Sequence, residues 1–201
     1  TLALTVASPA FADKAAVVKT YADMAHAGYE DSLGKARELQ AAVDALIATP
    51  SPESLEAARD AWRAARVPYL QTEVFRFGNA IVDDWEGRVN AWPLDEGLID
   101  YVDPVYGGAT DENEYAVLNV VATPKFTLSG KEIDATKITP ELLSGTLQEA
   151  DEVEANVATG YHAIEFLLWG QDLNGTGHGA GNRHWTDYAA GETCTNENCD
   201  R

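Results

Sequence analysis

A histidine and a glutamate stand three positions apart in the segment Gly160-Tyr-His162-Ala-Ile-Glu165-Phe-Leu-Leu-Trp-Gly170. On a helix this spacing puts both side chains on one face, where an imidazole nitrogen and a carboxylate oxygen can meet one cation. Two donors do not fill a coordination shell, and the same pair also occurs as a plain contact on a helix surface. The apolar residues around it favour the metal reading, because ionisable groups in a buried helix need a partner or an ion.

Further oxygen donors are found among aromatic residues: Glu73 in Thr72-Glu-Val-Phe-Arg-Phe-Gly78, and Asp95 with Glu96 in Trp92-Pro-Leu-Asp-Glu96. Oxygen-rich ligation with one imidazole suits iron, ferrous or ferric, better than a thiolate site would, with zinc or another divalent ion as a competitor. Each of these acids also has an ordinary explanation. Arg66 and Arg76 are ready ion-pair partners for Glu73, and Asp95 and Glu96 fit turn formation and capping. His26, His178 and His184 stand alone and read as solvated side chains.

Other chemistries lack their signatures. Phe166 follows Glu165 where a zinc-protease motif needs a second histidine, and no Glu-x-x-His pair of segments marks a di-iron bundle. The glycine-rich stretch 174–182 has no Gly-Lys-Ser/Thr, and no Gly-x-Ser-x-Gly elbow is present. With 14 Lys and Arg against 33 Asp and Glu, the formal net charge of −19 opposes binding to phosphate backbones, so nucleic acid is excluded as a partner.

The elements that must position these residues are mostly helical. Apolar positions Val17, Tyr21, Met24, Leu39, Val43 and Leu46 trace one long helix from Asp13 to about Ile47, with Gly28 or Gly34 as places for a bend. Ser51 and Pro52 supply a cap and a first helical residue for a second helix through Leu55, Ala58, Trp62, Ala65 and Tyr69, which Pro68 should kink or end. Residues 78–108 read as turns and short helical pieces. Thr110 can cap a short helix through Val121, and Lys125–Ile133 reads as a hairpin around Ser129-Gly130. Thr139 and Pro140 open another helix through Leu147. A last helix is expected from about Asp151 to Trp169, ended by Gly170 in a left-handed conformation and followed by the glycine-rich loop. The fold class is therefore all-α, a helical bundle with irregular connections and one small hairpin.

Residues 1–12 end in small residues after a short apolar run, which reads as the tail of a secretory signal peptide cleaved after Ala12, or else as a frayed first turn. Residues 13–201 then form the mature domain. In an exported protein Cys194 and Cys199 favour a disulfide over a free pair or a metal clip.

The block at 160–174 closely resembles the Gly-x-His-x-x-Glu block of the imelysin family, the insulin-cleaving membrane proteases. The likeness extends through Ala61-Trp-Arg-Ala-Ala-Arg-Val-Pro-Tyr69, Glu73-Val-Phe-Arg-Phe-Gly78 and Asn90-Ala-Trp-Pro-Leu-Asp-Glu-Gly97. Gly181-Asn-Arg-His-Trp-Thr-Asp-Tyr188 and the Cys194–Cys199 loop look like its iron-regulated branch. That resemblance implies two bundle-like halves, a periplasmic or outer-membrane location, a lipid tether being one arrangement, and a role in iron uptake beside an envelope transport component. It also implies a peptidase label, and it makes Gly160, His162 and Glu165 the motif residues. Members of the family usually run longer than this chain, so further donors are expected on a second half.

Overall fold

The computed structural model describes residues 13–194; the expected leader at 1–12 and the expected disulfide partner Cys199 lie outside the described residues. Helix α1 (Lys14–Ala48) and α2 (Pro52–Thr72) form an antiparallel pair. At 1.5 Å per residue they are roughly 52 and 32 Å long, so α1 overshoots α2 by several turns. The overshoot leaves Val17, Val18, Tyr21 and Met24 exposed.

The connection between the two helices follows the local chemistry. The Ser51 hydroxyl accepts from the Ser54 N–H at 3.1 Å, and the Ser54 hydroxyl accepts from the Ser51 N–H at 2.9 Å, a reciprocal capping box. Pro52 follows where no intrahelical N–H is needed. Of the kink or end expected at Pro68, the helix does not end there, and α2 continues to Thr72. The lost backbone bond lies near the C-terminus. Beyond it Tyr69 and Thr72 are buried, and the Thr72 hydroxyl donates to the Tyr69 carbonyl at 2.7 Å, so packing outweighs the missing donor. α1 likewise runs through Gly28 and Gly34 as one helix.

A short helix α6 (Gly160–Trp169) lies against this pair. Ala58 and Ala65, both fully buried on α2, let it approach closely, and Leu39, Leu46, Leu55, Tyr69, Tyr161 and Leu168 fill the seam. The indole N–H of Trp62 donates to the Tyr161 carbonyl at 2.9 Å and fixes the height of α6 along α2.

The rest is irregular: α3 (Ala80–Val89), the single turn α4 (Glu96–Ile99), and α5 (Pro140–Leu142) running into a wide turn at 143–147. The hairpin is present as β1 (Lys125–Leu128) and β2 (Lys131–Asp134), with Phe126 opposite Ile133. Its turn residues Ser129 and Gly130 both take positive φ, 49° and 74°, the sense that matches strand twist.

Two expected helical stretches are not helical. After Thr110 the chain forms turns, because the N–H groups of Asn119, Val120 and Val121 are taken by the carbonyls of Gly97, Leu98 and Ile99 at 2.8, 2.9 and 3.1 Å. Those carbonyls lie at the end of α4, where a helix offers them no N–H of its own. Residues 151–159 are also outside α6. Gln148 Oε1 accepts from the Ala158 and Thr159 N–H groups at 2.9 and 3.2 Å, and Glu149, Asp151 and Glu152 are left-handed. Gly170 has the expected positive φ of 72°, but its ψ of −174° is extended rather than helical. Among the described residues no helix is long and apolar enough to cross a membrane.

Candidate metal centre

Helix α6 starts at a glycine for a steric reason. Gly160 has φ +91°, and a Cβ there would lie 2.5 Å from the Val89 carbonyl oxygen and 2.7 Å from its carbon. Only a residue without a side chain lets the first turn of α6 abut the end of α3. Tyr161 then points into the core, and His162 and Glu165, one turn apart, line a cavity.

The two side chains meet. His162 Nδ1 lies 2.9 Å from Glu165 Oε2, with the imidazole mostly buried and the carboxylate more open. An ionised carboxylate only accepts, so Nδ1 carries the proton and donates. In the neutral ring the lone pair is then on Nε2. A carboxylate that fixes the tautomer in this way is the usual support of a metal-binding histidine.

Both residues line a cavity of about 420 Å³, and Glu96 and Asp172 line it too. Trp62, Trp92, Phe166 and Trp169 supply aromatic wall, with Arg63 beside them. Burial holds the Glu96 carboxyl above its ordinary range, and the charges of Asp172 and Glu165 add to the effect. The cavity therefore concentrates negative charge that a cation would relieve. Among the described residues no three His, Cys, Asp or Glu stand close enough together to enclose an ion. A larger cavity of about 650 Å³ between α1, α3 and α6 is walled largely by apolar residues such as Leu39, Val43, Leu46 and Ile164, and it lacks such a set of donors.

Of the acids singled out in the sequence, the structure brings Glu96 to the His162–Glu165 pair and leaves Glu73 and Asp95 elsewhere. Glu73, in a 3-10 turn after α2, lies 3.8 Å from Arg76, which also reaches Glu86 at 3.1 Å. Arg66 instead bonds Asn90 and stacks over Trp62, Tyr69 and Tyr161. Asp95 gives its two oxygens to Tyr106 and Asn113, at 3.1 and 2.5 Å. His26 pairs with Glu30 on the exposed face of α1, His184 contacts Thr186, and His178 is exposed. Cys194 is held in a disulfide.

Asp172 was not anticipated. It lies two residues beyond Gly170, where the chain turns back over the cavity, and Oδ1 accepts from the Asn174 N–H and amide at 2.8 and 2.7 Å. Asn174 in turn donates to the Ala180 carbonyl at 3.1 Å, clasping the glycine-rich loop. A Cβ at Gly181 would lie 2.3 Å from the Trp169 and Gly170 carbonyl oxygens, so this close return requires glycine. A carboxylate just after a motif helix, followed by a loop able to fold back, was the available signal.

Comparison with known proteins gives two findings. The profile of the imelysin family matches residues 25–199. A stretch of 64 residues is 42% identical to iron-regulated protein A of Synechococcus elongatus, covering 31% of this chain and 18% of that relative.

Proposed function

The chain belongs to the imelysin family, and from that membership we propose that it is an exported iron-binding protein of the bacterial envelope which captures the ion and passes it to a transport component. His162 Nε2 and the carboxylates of Glu96 and Asp172 are the groups that meet the cargo, in part through its own oxygen shell, while Glu165 orients the imidazole through Nδ1. The observation that carries this reading is the 2.9 Å His162–Glu165 contact on the wall of a cavity that two further carboxylates share. The donor types suit a hard or borderline cation. Because the donors are spread along the wall, such an ion retains part of its own oxygen shell. The likeness to iron-regulated protein A of Synechococcus favours iron over zinc.

Calorimetric titration of the protein with ferrous ion under anaerobic conditions tests the proposal. His162→Ala is expected to weaken binding by about 100-fold without unfolding the chain, at the upper end of what even supporting residues of metal sites contribute. Glu96→Gln should act in opposite directions on binding and stability. Its carboxyl is raised in the folded state, so ionisation opposes folding at any pH above that raised value, and the opposition fades as pH falls through it. The amide variant should therefore melt at a higher temperature without metal at neutral pH, yet bind the ion more weakly. Unchanged affinity in His162→Ala would remove the proposal and leave a helical scaffold.

A further inference from the structure

We propose that Asp95 and Tyr106 are positioning residues of the cavity, fixing Glu96 on its wall through a partly buried chain of hydrogen bonds. The inference rests on the cation-site reading above. Glu96 begins α4, a helix of only four residues, and a single turn has little stability of its own. Its placement must come from outside.

The structure shows the source. The Tyr106 hydroxyl donates to Asp95 Oδ1 at 3.1 Å and accepts from the Glu96 backbone N–H at 3.0 Å. Asp95 Oδ2 accepts from Asn113 Nδ2 at 2.5 Å, and the same amide donates to Asn156 Oδ1 at 2.7 Å. Asn156, fully buried, donates to the Ala150 carbonyl at 2.9 Å, and the Asp95 N–H donates to the Ala155 carbonyl at 2.8 Å.

Both oxygens of Asp95 are thus engaged: Oδ1 holds the Tyr106 hydroxyl that accepts from the Glu96 backbone, and Oδ2 is anchored through Asn113 and Asn156 to the Ala150 carbonyl. The acid holds the donor in place instead of contacting the ion. Buried polar groups are costly unless fully bonded, and this chain is bonded from Ala150 to Glu96. An orienting shell of this kind sets the affinity and the geometry of a site together.

The experiment uses cobalt(II) as a visible probe, with the whole protein, its Tyr106→Phe and Asp95→Asn variants, and His162→Ala as reference. Tyr106→Phe keeps the ring and removes only the hydroxyl. It is expected to weaken cobalt binding about tenfold and to shift the visible absorption band at saturation, while the melting temperature stays near that of the parent. Asp95→Asn, which turns an acceptor toward Asn113 into a donor, should shift the band in the same way. If Tyr106→Phe binds within about twofold of the parent with an unshifted band while His162→Ala has lost binding, the positioning role is overturned and the cavity reading stands. A drop in melting temperature with an unshifted band also overturns it, because that is the mark of a purely structural contact. If His162→Ala binds cobalt as the parent does, the cavity reading fails first and this inference with it.

Discussion

Replacing Asp100 with alanine is expected to lower the free energy of unfolding by about 3 kcal/mol, read from denaturant titration. Asp100 Oδ2 accepts from Arg183 Nη1 at 2.7 Å, and both side chains are only 2% exposed. Removing one partner leaves a buried guanidinium without its main counter-charge, which costs roughly 3–5 kcal/mol in comparable cases. The lower end applies here because Asp187 Oδ2, 3.4 Å from the same nitrogen, remains. Arg183 also stacks over Tyr101 and Phe166, its N–H donates to the Trp169 carbonyl at 2.8 Å, and its own carbonyl accepts from Arg59. The ion pair therefore seats the end of the glycine-rich loop against α6. Asp100→Ala combined with Arg183→Met should recover much of the loss, since a buried pair replaced by apolar groups is often close to neutral.

Gly160→Ala is expected to cost about 3–5 kcal/mol, combining positive-φ strain with the clash against the Val89 carbonyl. Thermal or denaturant unfolding reads the size of the effect. The clash is with backbone, so relief requires α3 or α6 to move, and His162 is only two residues into α6. Metal affinity should fall together with stability, unlike in His162→Ala, where affinity falls alone.

The parts of the fold that were legible in the sequence are those fixed by short-range chemistry. Ser51-Pro52, Thr139-Pro140 and Ser129-Gly130 each specify a cap or turn from neighbouring residues, and each is found where expected. The expected helices over 110–121 and 151–159 fail because distant groups claim their backbone. The end of α4 takes the N–H groups of 119–121, and Gln148 takes those of Ala158 and Thr159. Pro68 shows the converse case, in which burial of Tyr69 and Thr72 carries a helix past a residue able to end it.

The candidate site divides along the same line. His162 and Glu165 are joined by helical spacing, which sequence alone reveals. Glu96 and Asp172 reach the same cavity only through the packing of α4 and the return of the glycine-rich loop. Glu73 and Asp95 have equally suggestive neighbours in sequence, but Arg76 and the Tyr106–Asn113 pair claim them. Residue type picked out plausible donors, and tertiary contacts decided which of them face the cavity.

In the proposed site His162 offers Nε2 to a cation while Nδ1 stays protonated against Glu165. Nitrogen NMR of the ring, recorded as the protein is saturated with zinc as a diamagnetic stand-in for ferrous ion, tests it directly. Nε2 is expected to move to the shift of a metal-bound nitrogen while Nδ1 keeps its proton. Ring nitrogens of His162 that do not change at saturation would contradict it.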